Sequence, residues 1–195
     1  MKSLLMGGQA CIFYGAAEFS RDTDLVILAE TANLERLSAA LEDLQAEVIA
    51  VPPFAREYLD QGHSIHFACR RPDVKRMRLD VMSRMRGVDA FPALWERRTT
   101  ATLPDMGTVE IVGLPDLVAA KKTQRDKDWP MVRRLVEANY FGFREDPTAQ
   151  RVQFWLRELR TPELLIEAVA SNPDEARTVA RSREAVSVAL AGDAG

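Results

Sequence analysis

The 195-residue sequence carries only two cysteines, Cys11 and Cys69, and aromatic residues make up just 7% of it. Two thiols do not suggest a disulfide framework, and a reducing cytoplasm is the expected setting. No apolar run approaches the roughly 20 residues needed to span a bilayer. The apolar part of MKSLLMGG is too short for a secretory signal, so no membrane partner is expected. Neither sign of charge predominates: 26 Lys and Arg stand against 29 Asp and Glu, a net charge of −3. That balance gives no global attraction to nucleic acid, and any such contact would need a local basic patch. Internal repeats and low-complexity tracts are also missing. Apolar residues, by contrast, form 47% of the chain, ample at this length for a proper core in one domain, or one domain with an appendage.

The most informative stretch runs from Gly7 to Leu28, GGQACIFYGAAEFSRDTDLVIL. It reads as a glycine pair, a short helix over Gln9 to Ala16, a polar turn, and Asp22-Thr23-Asp24 heading an apolar, β-branched strand. Alternation along a strand puts Asp22 and Asp24 on the same side. Like charges held that close repel and call for a compensating cation. Mg²⁺ takes oxygen ligands, commonly one or two carboxylates completed by water and substrate phosphates. Gly7 and Gly8 let a ligand approach the backbone, and the helix that follows offers free N–H groups to a phosphate. A phosphate cradle beside metal-binding carboxylates is the equipment for handling a nucleoside triphosphate.

These residues resemble the nucleotidyltransferases of the polymerase beta-like superfamily. GGQACIFYG followed by RDTDLVI is most similar to the small bacterial members related to the abortive-infection toxins. Many such relatives carry Ser after the first Gly, where Gly8 stands here, and often Arg and Thr in the turn, where Glu18 and Ser20 stand with Arg21 beside them. The resemblance implies an α+β protein: a mixed-sheet nucleotidyltransferase core over residues 1–112, then a helical region over 113–195 that packs over the site. It also implies two Mg²⁺ ions, a nucleoside triphosphate as substrate, and release of pyrophosphate. Gly7, Gly8, Ser20 and Arg21 are the implied nucleotide contacts at this end.

Further along, Thr31-Ala32-Asn33 gives a capping signal with Glu35 in the first turn, and Leu34, Leu37, Leu41 and Leu44 then recur at helical spacing. Ser64 to Cys69 and Met77 to Met82 read as paired strands. Asp80 sits between Leu79 and Val81, on the face with Arg78 and Met82, where the resemblance expects a third metal-binding Asp; an exposed strand face is the plainer alternative. Val88 to Arg97 reads as a helix, Thr99 to Leu103 and Thr108 to Val112 as strands, and Gly113-Leu114-Pro115-Asp116 as a helix start. Helices are expected at Trp129 to Asn139, Thr148 to Leu159, Thr161 to Ala170 and Pro173 to Leu190.

The charge cluster KKTQRDKD supplies the remaining candidates. Lys121 matches the Lys that relatives carry after the last strand, with Lys122 hard to separate from it, and Arg125, Lys127 and Asp128 match the later part of their motif. A cation there would neutralise the triphosphate or the departing pyrophosphate; a solvated charge run is the plain alternative. His63, His66 and Cys69 invite a zinc reading, but a spacing of three on a strand sends successive side chains to opposite faces. The tryptophans and the pair Tyr140-Phe141 are expected to fill the join between helices, and the arginines of the last third to form a solvated face.

The sequence therefore predicts Mg²⁺-dependent transfer of a nucleoside monophosphate to an acceptor that is RNA, protein or a small molecule. Asp22, Asp24 and Asp80 would hold metal, and Asp80 would help deprotonate the acceptor hydroxyl. A catalytically inactive nucleotide- or partner-binding module of the same fold is the alternative. A toxin paired with an antitoxin is a third possibility.

Overall fold

The computed structural model describes residues 1–104, 107–122 and 128–192. Among them, seven short strands form one mixed sheet. In chain order they are β1 (Ser3–Met6), β2 (Asp22–Ile27), β3 (Ala46–Val48), β4 (Ile65–Cys69), β5 (Arg78–Met82), β6 (Thr99–Leu103) and β7 (Gly107–Ile111). Across the sheet they run β3-β4-β5-β2-β1-β7-β6. The pairs β2/β5 and β1/β7 are parallel and the rest antiparallel. Helices α1 (Gly7–Phe13), α2 (Thr31–Asp43), α3 (Arg56–Asp60) and α4 (Phe91–Glu96) lie between strands, and α5 (Leu114–Lys121) follows the last one. The fold is α+β, and the described residues after β7 are mostly helical.

Alternation decides which side of the sheet is core. Ile27 of β2, Ile65 and Phe67 of β4, and Leu79 and Val81 of β5 form one buried cluster with Leu37 and Leu41 of α2 and Leu59 of α3. Two helices therefore cover one face of β4, β5 and β2. The period of two then commits Asp22, Asp24, His66, Arg78 and Asp80 to the opposite face.

The start of α2 differs in detail from the sequence reading. Asn33 is no N-cap; it is 3% exposed, and its amide donates to the carbonyls of Lys2 and Leu28 while its side-chain oxygen accepts from the Lys2 backbone N–H. One buried amide thus ties the head of β1 to the end of β2. Helix α1 begins on the glycines themselves rather than after them. Helix α4 is shorter than expected: it starts at Phe91, with Pro92 early in its first turn.

The chain divides into two compact units, residues 1–126 and 127–195, so α5 belongs with the sheet. The second unit contains, among its described residues, α6 (Trp129–Phe143), α7 (Ala149–Glu158), α8 (Pro162–Ser171), α9 (Pro173–Ala180) and α10 (Glu184–Ala191). Where the sequence suggests one helix over Pro173 to Leu190, there are two. The chain turns at Arg181 and Ser182, and the half-buried Arg183 guanidinium donates to the carbonyls of Leu156 (2.6 Å) and Leu159 at the end of α7. Those carbonyls have no partner within their own helix, so breaking one helix satisfies the end of another.

Trp155 and Tyr140 do fill the helical core, meeting edge to face at 5.0 Å. Trp129 and Phe141 do not: they are 36% and 54% exposed, and the guanidinium groups of Arg160 and Arg144 lie over their rings. Among the described residues no helix is long and apolar enough to cross a membrane.

Candidate active site

The acidic face is assembled by strand register. Strands β2 and β5 run parallel with Asp24 beside Asp80 and Asp22 beside Arg78, while β4 sets His66 beside Asp80. Adjacent strands lie about 4.8 Å apart, so two segments more than 50 residues apart in sequence bring their carboxylates into one neighbourhood. Burial, the charge of Asp80 and the charge of Asp22, in that order, push the Asp24 carboxyl above the ordinary carboxylate range. The Lys121 ammonium and a hydrogen bond from the Gly8 backbone N–H oppose that rise. Asp22, Asp24, Asp80 and Lys121 are thus electrostatic neighbours.

The glycine pair makes room for this cluster. Gly7 has φ +65°, and a Cβ on it would lie 1.9 Å from Oδ2 of Asp24. A Cβ on Gly8 would lie 2.5 Å from Oγ of Ser20. The two glycines therefore admit Asp24 and the turn, and the Ser20 hydroxyl occupies the space where a side chain at position 8 would begin. Ser20 itself is fixed by donating to the Asp22 carbonyl at 3.0 Å. Thr23, between the two aspartates, accepts from the Gln9 amide of α1 at 2.8 Å, which locks the strand to the helix.

Asp80 is more constrained than the sequence suggested. The Arg78 guanidinium forks onto it, Nε to Oδ1 at 2.9 Å and Nη2 to Oδ2 at 3.1 Å. Nδ1 of His66 lies 2.8 Å from the same Oδ1 and 3.1 Å from Nη2 of Arg78. The Asp80 side chain is only 11% exposed. No side-chain ion pair engages Asp22 or Asp24 among the described residues.

Lys121 is delivered by α5, whose first turn is pinned. Asp116 is buried and accepts two bonds from Arg97, Nε to Oδ2 at 3.0 Å and Nη2 to Oδ1 at 2.9 Å. Arg97 also reaches Asp89, and the two carboxylates raise its already high pKa. Gly113 is needed at the helix start because a Cβ there would meet the Arg97 carbonyl at 2.5 Å. Lys122 and Asp128 are half-buried and Arg21 is exposed. Arg125 and Lys127 lie outside the described residues. His66 and Cys69 fall on opposite faces of β4, Cys69 being buried.

Among the described residues no group of three or more His, Cys, Asp or Glu is arranged to hold a metal ion. The donor chemistry nevertheless suits Mg²⁺ at Asp22 and Asp24, two carboxylates on one strand face whose crowding leaves Asp24 short of positive charge. Asp80 suits it less, because Arg78 and His66 already occupy its oxygens.

Sequence reasoning weighed His66 only as a zinc ligand and did not identify its place beside Asp80, nor Gln9 or the Arg97–Asp116 pair. The alternation of MRLDVM did put Arg78 on the Asp80 face, without revealing its bond to Asp80. Finding His66 requires the β4/β5 register, which no local pattern encodes.

No protein-family model matches the sequence, and no curated protein matches it. Solved structures similar to it include two nucleotidyltransferases. One is a candidate nucleotidyltransferase from H. pylori, 15% identical, with 97% of this chain and 82% of that one covered and a TM-score of 0.42. The other is ANT(2″)-Ia in complex with adenylyl-2″-tobramycin, 13% identical, with 98% and 86% covered and a TM-score of 0.38.

Proposed function

We propose that this protein is a nucleotidyltransferase that moves a nucleoside monophosphate from a nucleoside triphosphate to a hydroxyl-bearing acceptor. The observation that carries this reading is the convergence of Asp22, Asp24, Asp80 and Lys121 around Gly7 and Gly8. The resemblance of GGQACIFYG and RDTDLVI to the abortive-infection nucleotidyltransferases supports it.

In the reaction, the acceptor oxygen attacks the α-phosphorus in line. The bond from that phosphorus to the oxygen bridging to the β-phosphate breaks, pyrophosphate departs, and the hydroxyl proton is taken up by a carboxylate. Asp22 and Asp24 would hold Mg²⁺ together with phosphate oxygens; a bound Mg²⁺ neutralises the triphosphate and lowers the pKa of an oxygen that it touches. The position on Oδ2 of Asp80 that the Arg78 fork leaves open would take the proton. Lys121 faces the charge that gathers on the departing pyrophosphate, where a fixed cation is worth most. Ser20 and the glycine backbone line the approach for the triphosphate, with Arg21 and Lys122 as outer contacts.

The acceptor is RNA, a protein side chain or a small molecule, and the toxin resemblance favours the first two. Incubation with each α-labelled triphosphate, Mg²⁺ and either bulk RNA or the protein alone tests the proposal. Label should appear on an acceptor, and Asp22→Ala and Asp24→Ala should each reduce it by at least a hundredfold. Triphosphate binding with no transfer would instead indicate a nucleotide-binding module.

A further inference from the structure

The three aspartates are not equivalent. Asp22 and Asp24 have no side-chain ion pair among the described residues, whereas Asp80 has the Arg78 fork on both oxygens and His66 on one. An ionised carboxylate offers about four acceptor positions; the Arg78 fork takes one on each oxygen of Asp80, and Nδ1 of His66 lies 2.8 Å from Oδ1. Arg78 stands two residues before Asp80 on the same strand face, so the pleat holds the pair in register. A guanidinium is always charged, and its planar fork matches a carboxylate, which makes it a durable counter-ion. Its charge also reaches Asp22 and Asp24, both of which raise the Arg78 pKa after the larger effect of Asp80.

A second divalent cation shared by Asp80 would have to displace the fork or bind a carboxylate that already carries the guanidinium charge beside it. The remaining two carboxylates, with triphosphate oxygens and water, make up a sufficient shell for a single Mg²⁺. We propose that this site takes one divalent cation, held by Asp22 and Asp24, and that the Arg78 guanidinium stands on Asp80 in place of a second. The inference rests on the nucleotidyl-transfer reading and replaces the pair of ions that the sequence resemblance implies.

The test counts ions. The protein, in excess over an α,β-methylene analogue of each common ribonucleoside triphosphate, is titrated with Mn²⁺ and followed by electron paramagnetic resonance. Wild type should bind one Mn²⁺ per bound nucleotide, without the dipolar coupling of two ions about 3.5–4 Å apart. Arg78→Ala should bind two coupled ions, because Asp80 is freed, and Arg78→Lys should remain at one. Two coupled ions in wild type overturn the inference, as does a single ion in Arg78→Ala whose circular dichroism matches wild type. Should Arg78→Ala fail to fold, the wild-type count decides alone. Absence of both nucleotide and Mn²⁺ binding contradicts the nucleotidyl-transfer reading itself, a result distinct from a count of two.

Discussion

Asp24 is in the least comfortable surroundings of any side chain in the site, and its protonation follows from them. Burial and two neighbouring carboxylates raise its pKa, against partial relief from Lys121 and the Gly8 N–H. A carboxyl with a raised folded pKa holds its proton more tightly folded than unfolded. The stability linked to that proton is fully present below the ordinary Asp range and is lost as pH rises through the raised value. Asp24→Asn should therefore melt at a higher temperature than wild type near neutral pH and close to wild type in acid, while losing transfer activity. Equal melting temperatures across that pH range would contradict the account. Mg²⁺ with a triphosphate should raise the melting temperature of wild type but not of Asp24→Asn. Gly7→Ala tests the same carboxylate from the backbone side. A left-handed non-glycine residue costs about 1–2 kcal/mol, and the new Cβ would overlap Asp24. The variant should lose roughly that much stability in urea and nearly all of its activity; full activity would show that Asp24 need not sit where it does.

At the scale of elements, the site is a consequence of strand order. Inserting β5 beside β2 as its parallel neighbour aligns Asp80 with Asp24, and the helices on the far face keep that register because a slip of one residue would expose Leu79 and Val81. The elements themselves were legible: DTDLVI, SIHFAC and MRLDVM announce strands by alternation and β-branching, and the acidic positions can be read from the same alternation. The partners were not, since alternation assigns a face but not a neighbour, and His66 meets Asp80 only through pairing. Helix ends were the weakest part of the reading. Nothing local in SNPDEARTVARSREAVSVAL signals that Arg183 leaves its helix to satisfy the carbonyls of α7. Asn33 illustrates the same limit, reading as a cap but acting as a clamp between β1 and β2. Its replacement by Ala leaves buried backbone groups without partners and should cost about 2–4 kcal/mol in urea denaturation. A loss under about 0.5 kcal/mol would show that the clamp is dispensable.

Across the whole molecule, the residues proposed for chemistry are concentrated in one part of the chain. The glycine pair, the three aspartates, Arg78, His66 and Lys121 all fall within the unit of residues 1–126. The helical character of the last third was visible in its spacing of apolar residues. Its exposed Trp129 and Phe141, each under an arginine, were not, because helical spacing does not distinguish a ring packed inside from one covered by a guanidinium. The mild net charge of −3 leaves acceptor choice to local surfaces. What the whole account requires is cleavage between the α- and β-phosphates with the α-phosphate retained on the acceptor. Parallel reactions with α-labelled and γ-labelled triphosphate, wild type against Asp22→Asn, measure this directly. The account predicts α label on the acceptor, γ label only in released pyrophosphate, and neither product from the variant. Transfer of γ label to the acceptor, or α-label transfer undiminished in Asp22→Asn, would contradict it.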